Sequence, residues 1–353
     1  MSRFLDKKLV FLKPYIPGEQ PKGIKKLIKL NTNESPFPPC PGVKKAAGRA
    51  SKMLNLYSDP ACTNAVNAIA DFYGLNSKNV FLSNGSDETL AFIFHGFCPK
   101  GAAFADITYG FYKVFADMFG IKTRIVPLDN DFNIKVEDYK NLDQTIFIAN
   151  PNAPTGILLP VCMIEELLLQ SPDRLVVVDE AYIDFGGESA VRLIEKYDNI
   201  IVVQTFSKSR SLAGARLGFA IANDDLISDL NRMKFSFNPY NVNTISLLAA
   251  EEAMKDRQYF EKYRKEIIDN REYLSSELRR IGFKVLDSKA NFVFAGRHGS
   301  ISAKDYYDAL RQNNILVRYF DSERIKDFVR ITIGTSEQMR LFVETTEIIL
   351  KGR

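Results

Sequence analysis

One lysine stands among hydroxyls and guanidiniums, in the run Thr205-Phe206-Ser207-Lys208-Ser209-Arg210-Ser211-Leu212-Ala213-Gly214-Ala215-Arg216. It follows an apolar stretch, Ile200 to Gln204, of the kind that forms a buried strand. A lysine held beside a bound anion and partly desolvated can act as an amine nucleophile. Upstream, a second apolar run, Leu175-Val176-Val177-Val178, ends in Asp179-Glu180-Ala181-Tyr182. An amine and a carboxylate, each at the end of a strand, suggest a pyridoxal phosphate site. Lys208 would form the Schiff base, and Asp179 would pair with the pyridinium nitrogen.

The neighbouring residue types fit that chemistry. Thr205, Ser207 and Arg216 supply two hydroxyls and a guanidinium, a donor set for a phosphate dianion. Gly214 is expected to permit the turn that brings Arg216 back toward Lys208. In Ser83-Asn84-Gly85-Ser86-Asp87-Glu88-Thr89 a strand end meets a glycine turn and a helix start, where free N–H groups can bind phosphate. Plain helix capping by Ser86 or Asp87 explains that segment equally well. A buried Asp179 needs a cation or hydrogen-bond donors, although it could also cap the next turn. Tyr182 is placed to reach a phenolic oxygen of the cofactor. Two prolines and a glycine in Asn150-Pro151-Asn152-Ala153-Pro154-Thr155-Gly156 fix a rigid turn, and Tyr109 could stack on a ring or simply pack. Arg330, in Phe328-Val329-Arg330-Ile331-Thr332, sits in an otherwise apolar and hydroxyl-bearing strand. It calls for a carboxylate ligand or an ion pair with Asp321 or Glu323.

The elements that must position these groups alternate from about residue 60 to 222. Strands are expected at Val80–Ser83, Ala102–Ala105, Thr123–Val126, Thr145–Ala149, Leu175–Asp179, Ile200–Thr205 and Leu217–Ile221, with helices between them. Continuous apolar runs of this sort predict an α/β fold with a mostly parallel seven-stranded sheet covered on both faces. Ligands bind such sheets at the carboxyl ends of the strands, where Gly85, Asp179 and Lys208 fall. A long helix is expected over 252–282, followed by strands at Asn291–Ala295, Ile315–Tyr319 and Val329–Ile333 and helices at 302–313 and 336–351. The organisation read from this is an N-terminal arm over 1–45, a large domain over 46–250 and a smaller α+β domain over 251–353. Asn238-Pro239-Tyr240 marks the approach to the last boundary. The proline-rich arm carries Phe4, Leu5, Leu9, Val10, Phe11 and Leu12, which need cover from another surface, such as a second subunit.

Composition narrows the class. Of 353 residues, 46% are hydrophobic and 25% charged, as in globular proteins. A net charge of +4 from 47 basic and 43 acidic residues, without a basic block, gives no nucleic-acid footprint. Four scattered cysteines without a CxxC pair, and two histidines, lack the spacing of a zinc site or disulfide framework and leave reduced cytoplasmic thiols as the expectation. The apolar run Leu9–Leu12 is too short for a signal-peptide core, and no stretch reaches membrane-spanning length.

Taken in order, these segments resemble the fold-type I pyridoxal phosphate aminotransferases, and among them the histidinol-phosphate aminotransferase family. The likeness includes Lys13-Pro14-Tyr15-Ile16-Pro17-Gly18, Leu30-Asn31-Thr32-Asn33-Glu34-Ser35-Pro36 and Tyr57-Ser58-Asp59-Pro60. It continues through Gly85-Ser86-Asp87-Glu88, the turn at 150–156, Asp179-Glu180-Ala181-Tyr182, Ser207-Lys208 to Arg216 and Val329-Arg330-Ile331-Thr332. The resemblance implies that Lys208 carries the cofactor and moves the substrate proton, with Asp179 at N1, Tyr182 at O3′ and Tyr109 on the ring. Gly85, Ser86, Asp87, Thr205, Ser207 and Arg216 would form the phosphate site. Tyr57 would reach that phosphate from a neighbouring subunit of a homodimer. Tyr15, Asn33, Arg318 and Arg330 would bind substrate. The family's usual asparagine before Pro-Thr-Gly is Ala153 here, so Asn152 would have to serve O3′ or leave the contact to Tyr182. The implied reaction is transamination of histidinol phosphate with 2-oxoglutarate. Aromatic amino-acid transamination and threonine-phosphate decarboxylation are the alternatives on the same scaffold.

Overall fold

The computed structural model describes residues 3–21, 27–296 and 299–352. Its first strand is β1 (Ile28–Lys29). Seven further strands build the main sheet: β2 (Val80–Ser83), β3 (Ala102–Ala105), β4 (Thr123–Val126), β5 (Thr145–Ala149), β6 (Val176–Asp179), β7 (Ile200–Thr205) and β8 (Gly218–Ala222). Their spatial order is β2-β8-β7-β6-β5-β3-β4. All pairings are parallel except those of β8, which runs antiparallel to both β2 and β7. Each strand expected from the apolar runs therefore forms, to within a residue.

Alternation along the strands splits the core into two faces. Leu82, Ile146, Val176, Val178 and Val202 pack on one side, and Phe81, Phe147, Val177, Ile201 and Val203 on the other. With both faces covered, the β-branched residues of β6 and β7 bury completely. The covering helices are α1 (Pro41–Ala50), α2 (Thr63–Tyr73), α3 (Ser86–Gly96), α4 (Phe111–Phe119), α5 (Val161–Gln170), α6 (Asp224–Phe237) and α7 (Thr244–Lys255).

The helix expected over 252–282 is two helices. Asp256 ends α7, and its side chain accepts the Tyr259 N–H to start α8 (Arg257–Ile281), which closes on Gly282 in the left-handed region. Beyond it lie β9 (Phe292–Gly296), α9 (Ala303–Gln312), β10 (Ile315–Leu316), β11 (Arg318–Tyr319), β12 (Phe328–Thr332) and α10 (Ser336–Lys351). The single strand expected at Ile315–Tyr319 is divided between two sheets. β10 pairs with β1, while β11, β12 and β9 form an antiparallel sheet.

This C-terminal unit has its own core, in which Leu274, Val293, Val329, Ile331 and Phe342 join Leu30 from the N-terminal segment. The segment from Ile28 to Ser35 therefore runs as a strap from the small sheets to the carboxyl edge of the main one. No described helix is long and apolar enough to cross a membrane. Cys40, Cys62 and Cys98 are buried, Cys162 is exposed, and all four are free.

Candidate active site

A cleft of about 720 Å³ opens at the carboxyl ends of the main strands, between them, the strap and the C-terminal unit. Lys208 lines it, three residues beyond β7. Its Nζ lies 3.5 Å from the Thr32 carbonyl and 5.6 Å from the centroid of the Tyr182 ring. Among the described residues no carboxylate pairs with it, which leaves the amine available. Asp179, the last residue of β6, lines the same cleft and is 6% exposed. Its Oδ2 accepts the Tyr112 hydroxyl at 2.8 Å, and Oδ1 accepts the Ala181 N–H at 3.3 Å. Burial pushes this carboxyl up to about 6, against the opposing effect of the Tyr112 hydroxyl. Tyr112, on α4 and wholly buried, was not singled out from the sequence. Its position in the first turn of α4, close after Tyr109, was the available signal.

At one end of the cleft are Ser86, Asp87, Thr205, Ser207 and Arg216. Gly85 has φ +83, and a Cβ there would lie 2.7 Å from Arg216 Nη2, so the guanidinium packs where a side chain would stand. A Cβ on Gly218 would meet the Ser86 nitrogen at 2.2 Å, so β8 and the start of α3 touch through bare backbone. The turn that returns Arg216 does not depend on Gly214, whose φ is ordinary. Ser211 (φ 57) and Arg216 itself (φ 52) adopt the left-handed conformation instead. The Thr205 hydroxyl donates to the Leu217 carbonyl and accepts the Ser207 N–H, locking the loop before the lysine. Asp87 accepts the Tyr109 hydroxyl at 2.8 Å and faces Arg216 at 3.4 Å. Its carboxylate is thereby neutralised, leaving the helix-start N–H groups as the anion-binding part.

The turn at 150–156 corrects one expectation. Asn152 does not line the cleft. Its Nδ2 donates to the Ile107 carbonyl and the Thr155 hydroxyl, holding the turn shut. Asn150 is likewise engaged by both polar atoms of its side chain with the main chain of Leu159. Only Pro151, Ala153 and Pro154 of this turn face the cleft, so the turn offers it no side-chain amide. Asn33 lines the cleft, with its side-chain amide already bonded within the protein. It is 1% exposed, its Nδ2 donates to the Tyr182 hydroxyl at 3.0 Å, and its Oδ1 accepts the Thr332 hydroxyl at 3.1 Å.

At the opposite end stand two arginines. Arg318 on β11 and Arg330 on β12 are directly opposite in the antiparallel register, and both line the cleft. Like charges in that position repel unless an anion joins them. No carboxylate of the described residues does so, and the suggested pairing of Arg330 with Asp321 or Glu323 is absent. Arg330 Nη2 donates to the Asn31 carbonyl, while its Nε is closed from solvent and has no partner among the described residues. Burial lowers the pKa of this guanidinium from its ordinary value. Tyr15 lines the same end and stacks on Phe111 at 4.4 Å. Tyr57 lies outside the cleft, 83% exposed and stacked on Tyr240 at 4.5 Å. Leu54, Leu56 and Phe237 are also exposed.

This geometry can hold a flat, anionic cofactor. Hydroxyls, helix-start N–H groups and a guanidinium lie at one end, a buried carboxylate with no cation bonded to it among the described residues in the wall, an amine at the centre and a facing arginine pair at the far end. The family model for aminotransferase class I and II matches residues 25–345. The chain is 50% identical to histidinol-phosphate aminotransferase of Brachyspira hyodysenteriae, with both chains covered in full. It is 47% identical to the Clostridium acetobutylicum enzyme of that name over 98% of each chain. Among solved structures, a histidinol-phosphate aminotransferase from Clostridium acetobutylicum superposes with TM-score 0.85 at 24% identity, covering 93% of this chain and all of the other. That of Sinorhizobium meliloti, solved with pyridoxal-5'-phosphate, gives 0.83 at 23% identity, covering 93% and 92%.

Proposed function

Because this chain belongs to the class I and II aminotransferases, we propose that it transfers an amino group between histidinol phosphate and 2-oxoglutarate, giving imidazole-acetol phosphate and glutamate in histidine biosynthesis. The observation that carries the choice of substrate is the facing pair Arg318 and Arg330 with the Arg330 Nε unpaired. It supports a substrate with an anionic group remote from its amine, in line with 50% identity over the full length to an enzyme of that name.

Pyridoxal phosphate, when bound, supplies a carbonyl carbon that exchanges amines and a ring that accepts the electrons released at the substrate Cα. In our reading Lys208 would hold that carbon between turnovers, and its freed amine would take up and return the proton released at the substrate Cα. Asp179, held by Tyr112, would face the ring nitrogen, and ionisation of this buried carboxyl would be favoured by the cation placed against it. Tyr109 would lie against the ring. Ser86, Asp87, Thr205, Ser207 and Arg216 take the cofactor phosphate, Asp87 through its main-chain N–H. Arg318, Arg330 and Tyr15 take the phosphate of one substrate and a carboxylate of the other.

We further read the enzyme as a cytoplasmic homodimer in which Tyr57 of the partner subunit completes each phosphate site. The exposed apolar group of Leu54, Leu56, Tyr57 and Phe237 supports an interface. The division into an arm, a large domain to about residue 250 and a small domain beyond it is part of the same proposal, supported by the separate C-terminal core.

The test is direct. Purified protein should form glutamate from histidinol phosphate and 2-oxoglutarate, and release no carbon dioxide from threonine phosphate. Carbon dioxide release without amino transfer, or transfer from aromatic amino acids alone, would overturn the substrate assignment.

A further inference from the structure

Lys208 lies beside the ring of Tyr182, and a phenolic oxygen of the cofactor adjoins the carbon that the lysine takes. The 150–156 turn contributes no side-chain amide toward that oxygen, since Ala153 has none and Asn150 and Asn152 are engaged with their own loop. The Tyr182 hydroxyl is then the donor left in place, and what orients its proton is Asn33.

The direction of each hydrogen bond follows from the partners available. Thr332 Oγ1, on β12, accepts the Asn33 main-chain N–H at 2.9 Å, and among the described residues the acceptor in reach of its own buried proton is Asn33 Oδ1 at 3.1 Å. That turns the Asn33 Nδ2, which can only donate, toward the Tyr182 oxygen at 3.0 Å. The Tyr182 oxygen accepts, and its single proton is free for the cleft. Asn33 itself has φ 55, a left-handed backbone that asparagine tolerates, and its carbonyl is held by Asn291 Nδ2.

We propose that Asn33 is a positioning residue: with Thr332 it aims the Tyr182 hydroxyl proton into the cleft and so sets the proton affinity of the lysine-bound cofactor. This rests on the function proposed above. The relay also runs from the C-terminal unit through the strap to the main sheet, so the tuning depends on how the C-terminal unit sits against the site.

The experiment uses the full-length, cofactor-loaded enzyme and follows its visible absorbance against pH. Asn33→Gly keeps the left-handed backbone and removes the amide. It should raise the spectral pKa by about one unit, the scale of one hydrogen bond to a charged group. Thr332→Val should shift it the same way and Thr332→Ser should restore it. In a Tyr182→Phe background, itself shifted upward, Asn33→Gly should add nothing further. Thermal unfolding of the cofactor-free variants separates folding damage from tuning. A spectral pKa unchanged in both Asn33→Gly and Thr332→Val, or a shift that persists in full without the Tyr182 hydroxyl, overturns the relay. Loss of the visible band in the unsubstituted protein would instead sink the cofactor reading.

Discussion

At the scale of single residues the site is a set of groups each held by one or two named bonds. Among the described residues Lys208 has no competing carboxylate, so Lys208→Ala should abolish both the visible absorbance of the loaded protein and amino transfer. Retention of either in a spectrum or a coupled glutamate assay would refute its role. Among the described residues, Tyr112 donates the one side-chain hydrogen bond that Asp179 receives. Removing a donor from a buried carboxylate raises its pKa further and favours the neutral form. Tyr112→Phe should therefore weaken cofactor binding at neutral pH by about 2 kcal/mol, roughly 30-fold, the usual size of a hydrogen bond to a charged group. Equilibrium dialysis of the cofactor against the variant measures this. The acid limb of activity should also move to higher pH.

At the scale of elements, strand ends and helix starts do the positioning. The loop from β2 into α3 depends on the left-handed Gly85, into whose empty side-chain space Arg216 packs. Gly85→Ala combines a strained backbone, costing about 1–3 kcal/mol, with a steric block against that guanidinium. Chemical denaturation should register the first effect, and a rise in the cofactor dissociation constant the second. Glu180, next to Asp179, serves a different purpose. It accepts from Ser189, Ala190 N–H and Gln204, tying β6 and β7 to the 188–193 loop, and burial pushes its carboxyl up to about 7.

The whole molecule carries the consequence of those two buried acids. Both have folded-state pKa values above their ordinary ones, about 6 and about 7. Between the unfolded values near 4 and those figures, the folded state holds protons that the unfolded chain releases. Their contribution to stability is therefore complete below about pH 4 and declines as pH rises to about 7. Asp179→Asn should raise the unfolding midpoint of the cofactor-free protein at pH 8, with the difference vanishing near pH 4, while amino transfer is lost. Calorimetry at the two pH values checks it; an equal difference at both would mean that the carboxyl charge is not the cause. The dimer is tested by mixing weakened Tyr57→Phe with inactive Lys208→Ala subunits and comparing the mixture with either variant alone. Hybrids contain one site with both residues intact, so partial recovery is expected, and none would indicate that Tyr57 does not act across subunits.

Much of this was written in the chain itself. The β-branched runs at 175–179 and 200–205 can bury only as central strands, because both their faces are apolar, and that alone puts Asp179 and Lys208 at one edge. The left-handed Gly85 and the lone Arg330 in an apolar strand were legible for the same reason: each residue type is costly in its place without a specific use. The sequence did not disclose the direction of the amides. Asn33 and Asn152 read as ligands, yet one bonds Tyr182 and Thr332 and the other closes its own turn, because an amide goes to whichever donors and acceptors the fold brings within 3 Å. The facing of Arg318 with Arg330 is a matter of strand register, and the Tyr112 bond to Asp179 spans 67 positions. Such long-range pairings exist only once the chain has packed. Local pattern fixed the strands and the chemistry at their ends; tertiary structure chose the partners, since hydrogen bonds are decided by distance in space and not along the sequence.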